Sequence, residues 1–243
     1  MEDGVKVARE LVAERFPEAR AAWLGGSVAR GMATATSDLD VTVLLAGAPA
    51  PMRESLEYCG WPVEVFVHTD ASLAHFRDKD QQRRQPTMMR LVGESVVLLD
   101  TDGSGVRLRE ACLAEVQAGP AALSDTELGL LRYRVTDLLE DLIGAADNDI
   151  RTVVASVLWQ EAAALLLTGE RLWTGTGKGL LREIASYDET HGTSHASALP
   201  AALRAAVQGD IAPLTAEVDT ILAPYGGRLF AGFHLAGTTP ISE

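Results

Sequence analysis

Two aspartates separated by a single residue stand at the start of an apolar segment in the N-terminal half. Asp38 and Asp40 flank the first residue of the run 39–45, which is aliphatic and β-branched and is therefore predicted to be a strand. Side chains at positions i and i+2 of a strand leave the same face of a sheet. Two carboxylates at that spacing repel each other unless a cation lies between them, and all-oxygen ligands suit Mg²⁺.

A third carboxylate, Glu64, lies within the apolar run 62–68, which is predicted to be another strand. A carboxylate in such a run is costly unless it is paired or binds a metal. If this strand lies beside 39–45, Glu64 faces Asp38 and Asp40. Three carboxylates on neighbouring strands can hold two Mg²⁺ ions about 3.5–4 Å apart. We expect one ion to activate an acceptor hydroxyl and the other to hold a triphosphate, and Glu64 is also the candidate general base.

A glycine-rich turn with a serine precedes the aspartates. The short apolar run 21–24 ends at Gly25 and Gly26, and a helix is predicted to begin near Ser27. Glycines let the backbone approach a ligand closely, and free N–H groups at a helix start can hold a phosphate. Gly26, Ser27 and Ser37 are therefore assigned to nucleotide binding, with the Ser27 hydroxyl as a donor to a phosphate oxygen.

These residues resemble the motif of the polymerase-β-like nucleotidyltransferase superfamily. In this sequence the motif is Gly26-Ser27, Gly31, Asp38-Leu39-Asp40 and the later Glu64, and the resemblance covers roughly residues 20 to 70. It implies Mg²⁺-dependent transfer of a nucleoside monophosphate from a nucleoside triphosphate, with ATP as the expected donor.

A weaker resemblance, to the aminoglycoside nucleotidyltransferases, extends over the whole chain. It lies in the order of a small nucleotidyltransferase domain followed by a helical domain. It implies that Glu64 is the base near the acceptor and that Lys178, at a predicted helix start, reaches the triphosphate. The alternative for Lys178 is a solvated lysine in a glycine-rich turn.

Strand and helix patterns divide the chain into two parts. The first part mixes both, with a short helix expected at 53–59 among the strands, and strand patterns largely vanish after residue 104. Ser124 and Glu127 form a capping-box pattern that opens a long helix. We predict an α+β fold. A nucleotidyltransferase domain with a small mixed sheet and flanking helices spans 1–118, and an all-helical bundle spans 119–243.

Composition limits the function classes. The net charge of −13 makes a broad nucleic-acid-binding face unfavourable. That charge indicates either solubility or attraction of a cationic acceptor such as an aminosugar, and charge alone does not separate the two. The sequence shows no signal-peptide pattern and no evident membrane-spanning run of roughly 20 apolar residues, so a cytoplasmic location is expected.

Three functions are compatible with these features. The first is an enzyme that transfers AMP from ATP to a hydroxyl of a small, aminoglycoside-like molecule. The second is a protein-modifying nucleotidyltransferase that acts on a partner protein as an antitoxin or regulator. The third is a ligand-binding module without activity, against which the intact carboxylate triad argues. The sequence leaves the oligomeric state open.

Overall fold

The computed structural model describes residues 2–237, and the chain forms two compact units, Met1–Gly119 and Pro120–Glu243. The first unit contains strands and helices, and the second contains helices without strands in its described part. The α+β fold class predicted from the sequence is thus confirmed. The boundary between the units falls one residue after the predicted one.

Five strands form one mixed sheet in the described part of the first unit, in the order β3-β4-β2-β1-β5. Neighbours β2 and β4 are parallel, and the other pairs are antiparallel. The strands are β1 (Ala21–Leu24), β2 (Leu39–Leu44), β3 (Met52–Tyr58), β4 (Trp61–His68) and β5 (Val96–Asp100).

Helices cover the two faces of this sheet. The helices are α1 (Glu2–Arg15), α2 (Gly26–Ala29), α3 (Asp70–Arg83), α4 (Thr87–Gly93) and α5 (Ser104–Ala118). Buried α1 residues such as Leu11 share a core with Leu39 and Val41 of β2 and Val63 and Val65 of β4. Because side chains alternate along a strand, the intervening residues of β2 and β4 face away from this core. That opposite face carries the carboxylates.

The predicted helix at 53–59 is wrong, because this segment is β3. Its side chains alternate between half-buried and exposed from Met52 to Tyr58, which is the period of a strand. Cys59 and Gly60 both adopt positive φ, 50° and 79°, and connect β3 to β4 in a tight hairpin. Two such residues in succession match the backbone twist of a two-residue hairpin. The pairing with β4 therefore outweighs the helical propensity of the glutamates in this segment.

The second unit is built around one long helix. Its helices are α6 (Asp125–Gly144), α7 (Asn148–Gly169), α8 (Lys178–His191), α9 (His195–Val207) and α10 (Ala212–Leu222), followed by a 3₁₀ turn (Ala223–Tyr225). The capping box of Ser124 and Glu127 is present at the start of α6, as predicted. Leu158, Leu165 and Leu167 of α7 are fully buried in the core of this unit.

By length and composition alone, α7 also meets the criteria for a membrane-spanning helix. The sequence predicted no membrane-spanning run, and charged residues such as Glu161 do interrupt the apolar run in α7. The central helix of a helical bundle meets the same two criteria, and α7 packs against α6, α9 and α10 in that position.

Candidate functional site

The register of two neighbouring strands brings three carboxylates together. Asp40 of β2 lies directly opposite Glu64 of the parallel β4. Asp38 precedes β2 by one residue and lies on the same face as Asp40. One ligand oxygen from each of the three side chains lies within 4.8 Å of the other two, and all three residues are half-buried. We call Asp38, Asp40 and Glu64 the carboxylate triad.

The negative charges of the carboxylate triad favour binding of a cation. Burial, together with the negative charges of Asp38 and Glu64, raises the pKa of Asp40 to about 6 against the opposing effect of Arg30 and Arg53. A positive ion beside Asp40 would remove this penalty on its ionised form. The donor set consists of carboxylate oxygens only, so it fits a hard divalent cation such as Mg²⁺ better than zinc or copper.

Arg53 is a component of the site that the sequence analysis missed. Its Nη2 donates to both carboxylate oxygens of Glu64, at 2.7 and 2.8 Å, and Ser55 Oγ lies 3.4 Å from Oε1. The side chain of Arg53 is 61% exposed, so its charge partly neutralises the triad at the edge that faces solvent. Met52, Leu56 and Tyr58 stand an even number of positions apart and precede Cys59-Gly60, and this strand pattern could have revealed it.

Gly26 is required by the triad itself. Its φ is +68°, and a Cβ at this position would lie 1.9 Å from Oδ2 of Asp40. The neighbouring Gly25 N–H donates to the backbone carbonyl of Asp40 at 2.8 Å. These glycines were predicted to let the backbone approach a ligand, whereas the group that approaches Gly26 here is the Asp40 carboxylate. The turn and the triad are therefore one packed assembly.

The two predicted serines contact each other. Ser27 Oγ donates to Ser37 Oγ at 2.9 Å, and the backbone N–H of Thr34 also donates to Ser37 Oγ, at 2.8 Å. The N–H of Met32 donates to the carbonyl of Ser27 at 2.9 Å. Ser37 thus ties the loop after α2 to the start of that helix. This places the Ser27 hydroxyl in the same loop assembly that leads into the carboxylate triad.

Lys178 lies in the second unit. It is the exposed first residue of α8, preceded by Gly177 at a φ of 51°. The structure thus places it at a helix start, as the sequence pattern suggested. Its contact with a triphosphate stays a prediction.

Residues 5–82 match the family model of the nucleotidyltransferase domain, and this span contains the glycine turn and the whole carboxylate triad. A nucleotidyltransferase-like protein from Exiguobacterium sibiricum has a structure that aligns with 90% of this chain and 74% of its own, with 10% sequence identity and a TM-score of 0.48. No curated protein matches the sequence. The family match over residues 5–82 supports nucleotidyl transfer as the reaction class.

Proposed function

We propose that this chain transfers a nucleoside monophosphate, AMP from ATP, to a hydroxyl group of a small molecule in an Mg²⁺-dependent reaction. The observation that carries the proposal is the convergence of Asp38, Asp40 and Glu64 within 4.8 Å, inside the span that matches the nucleotidyltransferase domain. Asp38, Asp40 and Glu64 would hold the metal, which when bound supplies positive charge that offsets the negative charge of the reacting phosphates.

Other steps of the reaction, phosphate binding and removal of the acceptor proton, are assigned to residues of the chain. Ser27 and the backbone N–H groups at the start of α2 donate hydrogen bonds to the phosphates of the nucleotide. Glu64 accepts the proton of the acceptor hydroxyl. The acceptor oxygen forms a bond to the α-phosphorus of ATP, and the bond from that phosphorus to the bridging oxygen breaks to release pyrophosphate. For Lys178, the resemblance to the aminoglycoside nucleotidyltransferases implies a further positive charge for the triphosphate.

The acceptor panel follows from the sequence and its resemblances. The net charge of −13 and the weaker resemblance to aminoglycoside nucleotidyltransferases motivate cationic aminosugars as one acceptor class. Neutral hydroxyl compounds form the other class.

The test incubates the full chain with Mg²⁺, each of the four common nucleoside triphosphates in turn and a panel of both acceptor classes. We expect pyrophosphate release with ATP and an acceptor mass increased by one AMP. Both signals should vanish when Mg²⁺ is omitted or chelated. Asp78→Asn, which removes an exposed carboxylate outside the triad, is the matched control for Asp40→Asn.

The absence of any adduct across the panel would overturn the small-molecule version of the proposal. Mass spectrometry of co-purified proteins would then show whether a partner protein carries AMP instead. Binding of a non-hydrolysable ATP analogue without any product in either assay would leave the inactive binding module as the remaining function.

A further inference from the structure

The first unit contains a cavity that shares its wall with the carboxylate triad. It has a volume of about 490 Å³ and lies between the face of β3 and β4 and the helices α3 and α4. Pockets of roughly 300–1,000 Å³ hold drug-sized ligands. Every residue that lines the cavity belongs to the first unit, from Pro51 to Leu91.

Two residues connect the cavity to Glu64. Arg53 lines the cavity and donates to both carboxylate oxygens of Glu64, at 2.7 and 2.8 Å. Phe66 also lines the cavity and stands two residues after Glu64 on β4, so both side chains leave the same face of the sheet about 7 Å apart along the strand. A molecule in the cavity is therefore within reach of the candidate general base.

The walls are mainly apolar and aromatic. Met52 and Phe66 come from the sheet, and Phe76, Met88 and Leu91 come from the helices. Phe76 is 38% exposed, so part of this wall is open to solvent. Burial of such walls against an apolar ligand body stabilises binding by roughly 25 cal/mol for each Å² removed from water.

The charged groups on the walls disfavour a polycation. Of the described residues that line the cavity, Arg53 and Arg83 are basic and Asp80 is acidic. Asp80 already accepts the backbone N–H of Met89 at 2.9 Å, and burial raises its pKa to about 6. A ligand with several ammonium groups would meet two fixed positive charges here and one carboxylate that is already engaged.

One polar group on the wall matches a hydroxyl. His68 lines the cavity, is 4% exposed, and its Nε2 is buried with no hydrogen-bond partner among the described residues. Burial lowers the pKa of His68, so its ring is neutral at pH 7. A hydroxyl can donate to or accept from a neutral imidazole nitrogen, so it matches either tautomer. The Phe76 ring packs edge-on against the His68 ring, with 5.2 Å between the ring centroids.

We propose that this cavity binds the acceptor, and that the acceptor is a neutral hydroxyl compound with an aromatic or alicyclic body rather than a polycationic aminosugar. The inference rests on the proposed function, because it takes Glu64 as the base for the acceptor hydroxyl. The reacting hydroxyl lies at Glu64, the apolar body lies between Phe66 and Phe76, and a second polar group of the ligand reaches His68.

The test uses 2-naphthol as the probe for neutral aromatic alcohols and kanamycin as the probe for polycations. Binding to the full chain is measured by titration calorimetry and ligand-observed NMR. We expect 2-naphthol to bind the unmodified protein and to bind at least tenfold more weakly to Phe76→Ala and to Phe66→Leu. Val106→Ala, which truncates an exposed apolar residue of α5 outside the cavity, should bind 2-naphthol like the unmodified protein.

Competition identifies the ligand class and the role of the cavity. Neither kanamycin nor a non-hydrolysable ATP analogue with Mg²⁺ should displace 2-naphthol. Displacement by kanamycin would assign the cavity to polycations, and displacement by the nucleotide would assign it to the nucleobase. Either result would overturn the inference. Failure of 2-naphthol to bind the unmodified protein would also overturn it, as would equal affinity of 2-naphthol for the Phe76 and Phe66 variants and the unmodified protein.

Nucleotide binding and AMP transfer, measured in parallel, separate the two proposals. Transfer of AMP to kanamycin but not to 2-naphthol would contradict the assignment of the acceptor as a neutral hydroxyl compound, and it would support the proposed function. Specific binding of 2-naphthol without any binding of the nucleotide analogue would sink the proposed function, and the cavity would then be a site for aromatic alcohols only.

Discussion

A Cβ atom at residue 26 would lie 1.9 Å from Oδ2 of Asp40, so the carboxylate occupies space that only glycine leaves free at that position. The φ of Gly26, +68°, is also a conformation that other residues adopt at a cost. The glycine turn and the metal-ligand candidate are thus mutually dependent. Any larger residue at 26 must displace Asp40, the turn or both.

Gly26→Ala is therefore expected to weaken Mg²⁺ binding by more than tenfold, because Asp40 cannot keep its position. Gly103→Ala is the matched control, since Gly103 has a φ of +78° and nothing within 4 Å of its Cβ position. The control should lose about 1–2 kcal/mol of stability from backbone strain alone and keep its metal affinity. Calorimetric Mg²⁺ titration and urea unfolding of both variants check this. Equal Mg²⁺ affinity in the two variants would contradict the dependence of Asp40 on Gly26.

Asp40→Asn should abolish nucleotidyl transfer and leave the fold nearly intact. The substitution removes a charged metal ligand at constant size, and it also relieves the repulsion from Asp38 and Glu64 that raises the pKa of Asp40. The melting temperature should be equal to or above that of the unmodified protein, while pyrophosphate release falls at least a thousandfold, or about 4 kcal/mol in activation free energy. Transfer at near the original rate would show that Asp40 binds no essential metal.

Arg53→Met should tighten Mg²⁺ binding. Arg53 donates to both oxygens of Glu64, so it competes with a cation for this ligand. Because the arginine is largely exposed, we expect a gain of about 0.2–1 kcal/mol, or up to fivefold in Kd. Arg15→Met is the matched control, since Arg15 pairs with Glu54 on β3 at 3.0 Å, away from the triad. Weaker Mg²⁺ binding in Arg53→Met than in the control would show that the arginine supports the site instead.

Asp80→Asn should change how stability depends on pH. Burial raises the pKa of Asp80 to about 6 in the folded chain, above the value of about 3.9 for an unfolded aspartate. Well below the unfolded pKa of about 3.9 the residue is protonated in both states. As the pH rises towards 6 the unfolded state ionises first, so the folded state loses stability. From about one pH unit above the folded pKa this penalty is complete and constant.

Asparagine does not ionise, so it carries no such penalty. Between pH 4 and pH 7.5 the free energy of unfolding of Asp80→Asn should therefore rise by roughly 2 kcal/mol relative to that of the unmodified protein. Urea unfolding at both pH values measures the change, and Asp78→Asn controls for loss of a carboxylate on the same helix. A stability difference between Asp80→Asn and the unmodified protein that stays constant with pH would show that burial does not perturb Asp80.

Lys178→Met should raise the Kd for the ATP analogue about tenfold if the lysine contacts the triphosphate, as the resemblance to aminoglycoside nucleotidyltransferases implies. Arg182→Met removes another exposed cation from α8 one turn later and controls for net charge. Equal affinities of the two variants for the analogue would assign Lys178 to the solvated surface.

Local patterns were sufficient to predict several elements. The capping box at Ser124 and the apolar strand that holds Glu64 were both readable, because the physical causes lie within a few residues. The segment 53–59 was misassigned because its glutamates favour a helix in isolation. Pairing with β4 and the positive φ of Cys59 and Gly60 outweigh that preference, and neither is a property of the segment alone.

The sequence by itself determined the chemistry available to this protein: three carboxylates on two predicted strands, a glycine-serine turn before them and an α+β fold. Only the tertiary structure decided which atoms meet. The parallel register of β2 and β4 places Asp40 opposite Glu64, and the β3 hairpin brings Arg53 onto that glutamate. The fit of Gly26 against Asp40 and the cavity between the sheet and α3 and α4 were decided in the same way, because contacts between distant segments depend on packing rather than on local residue patterns.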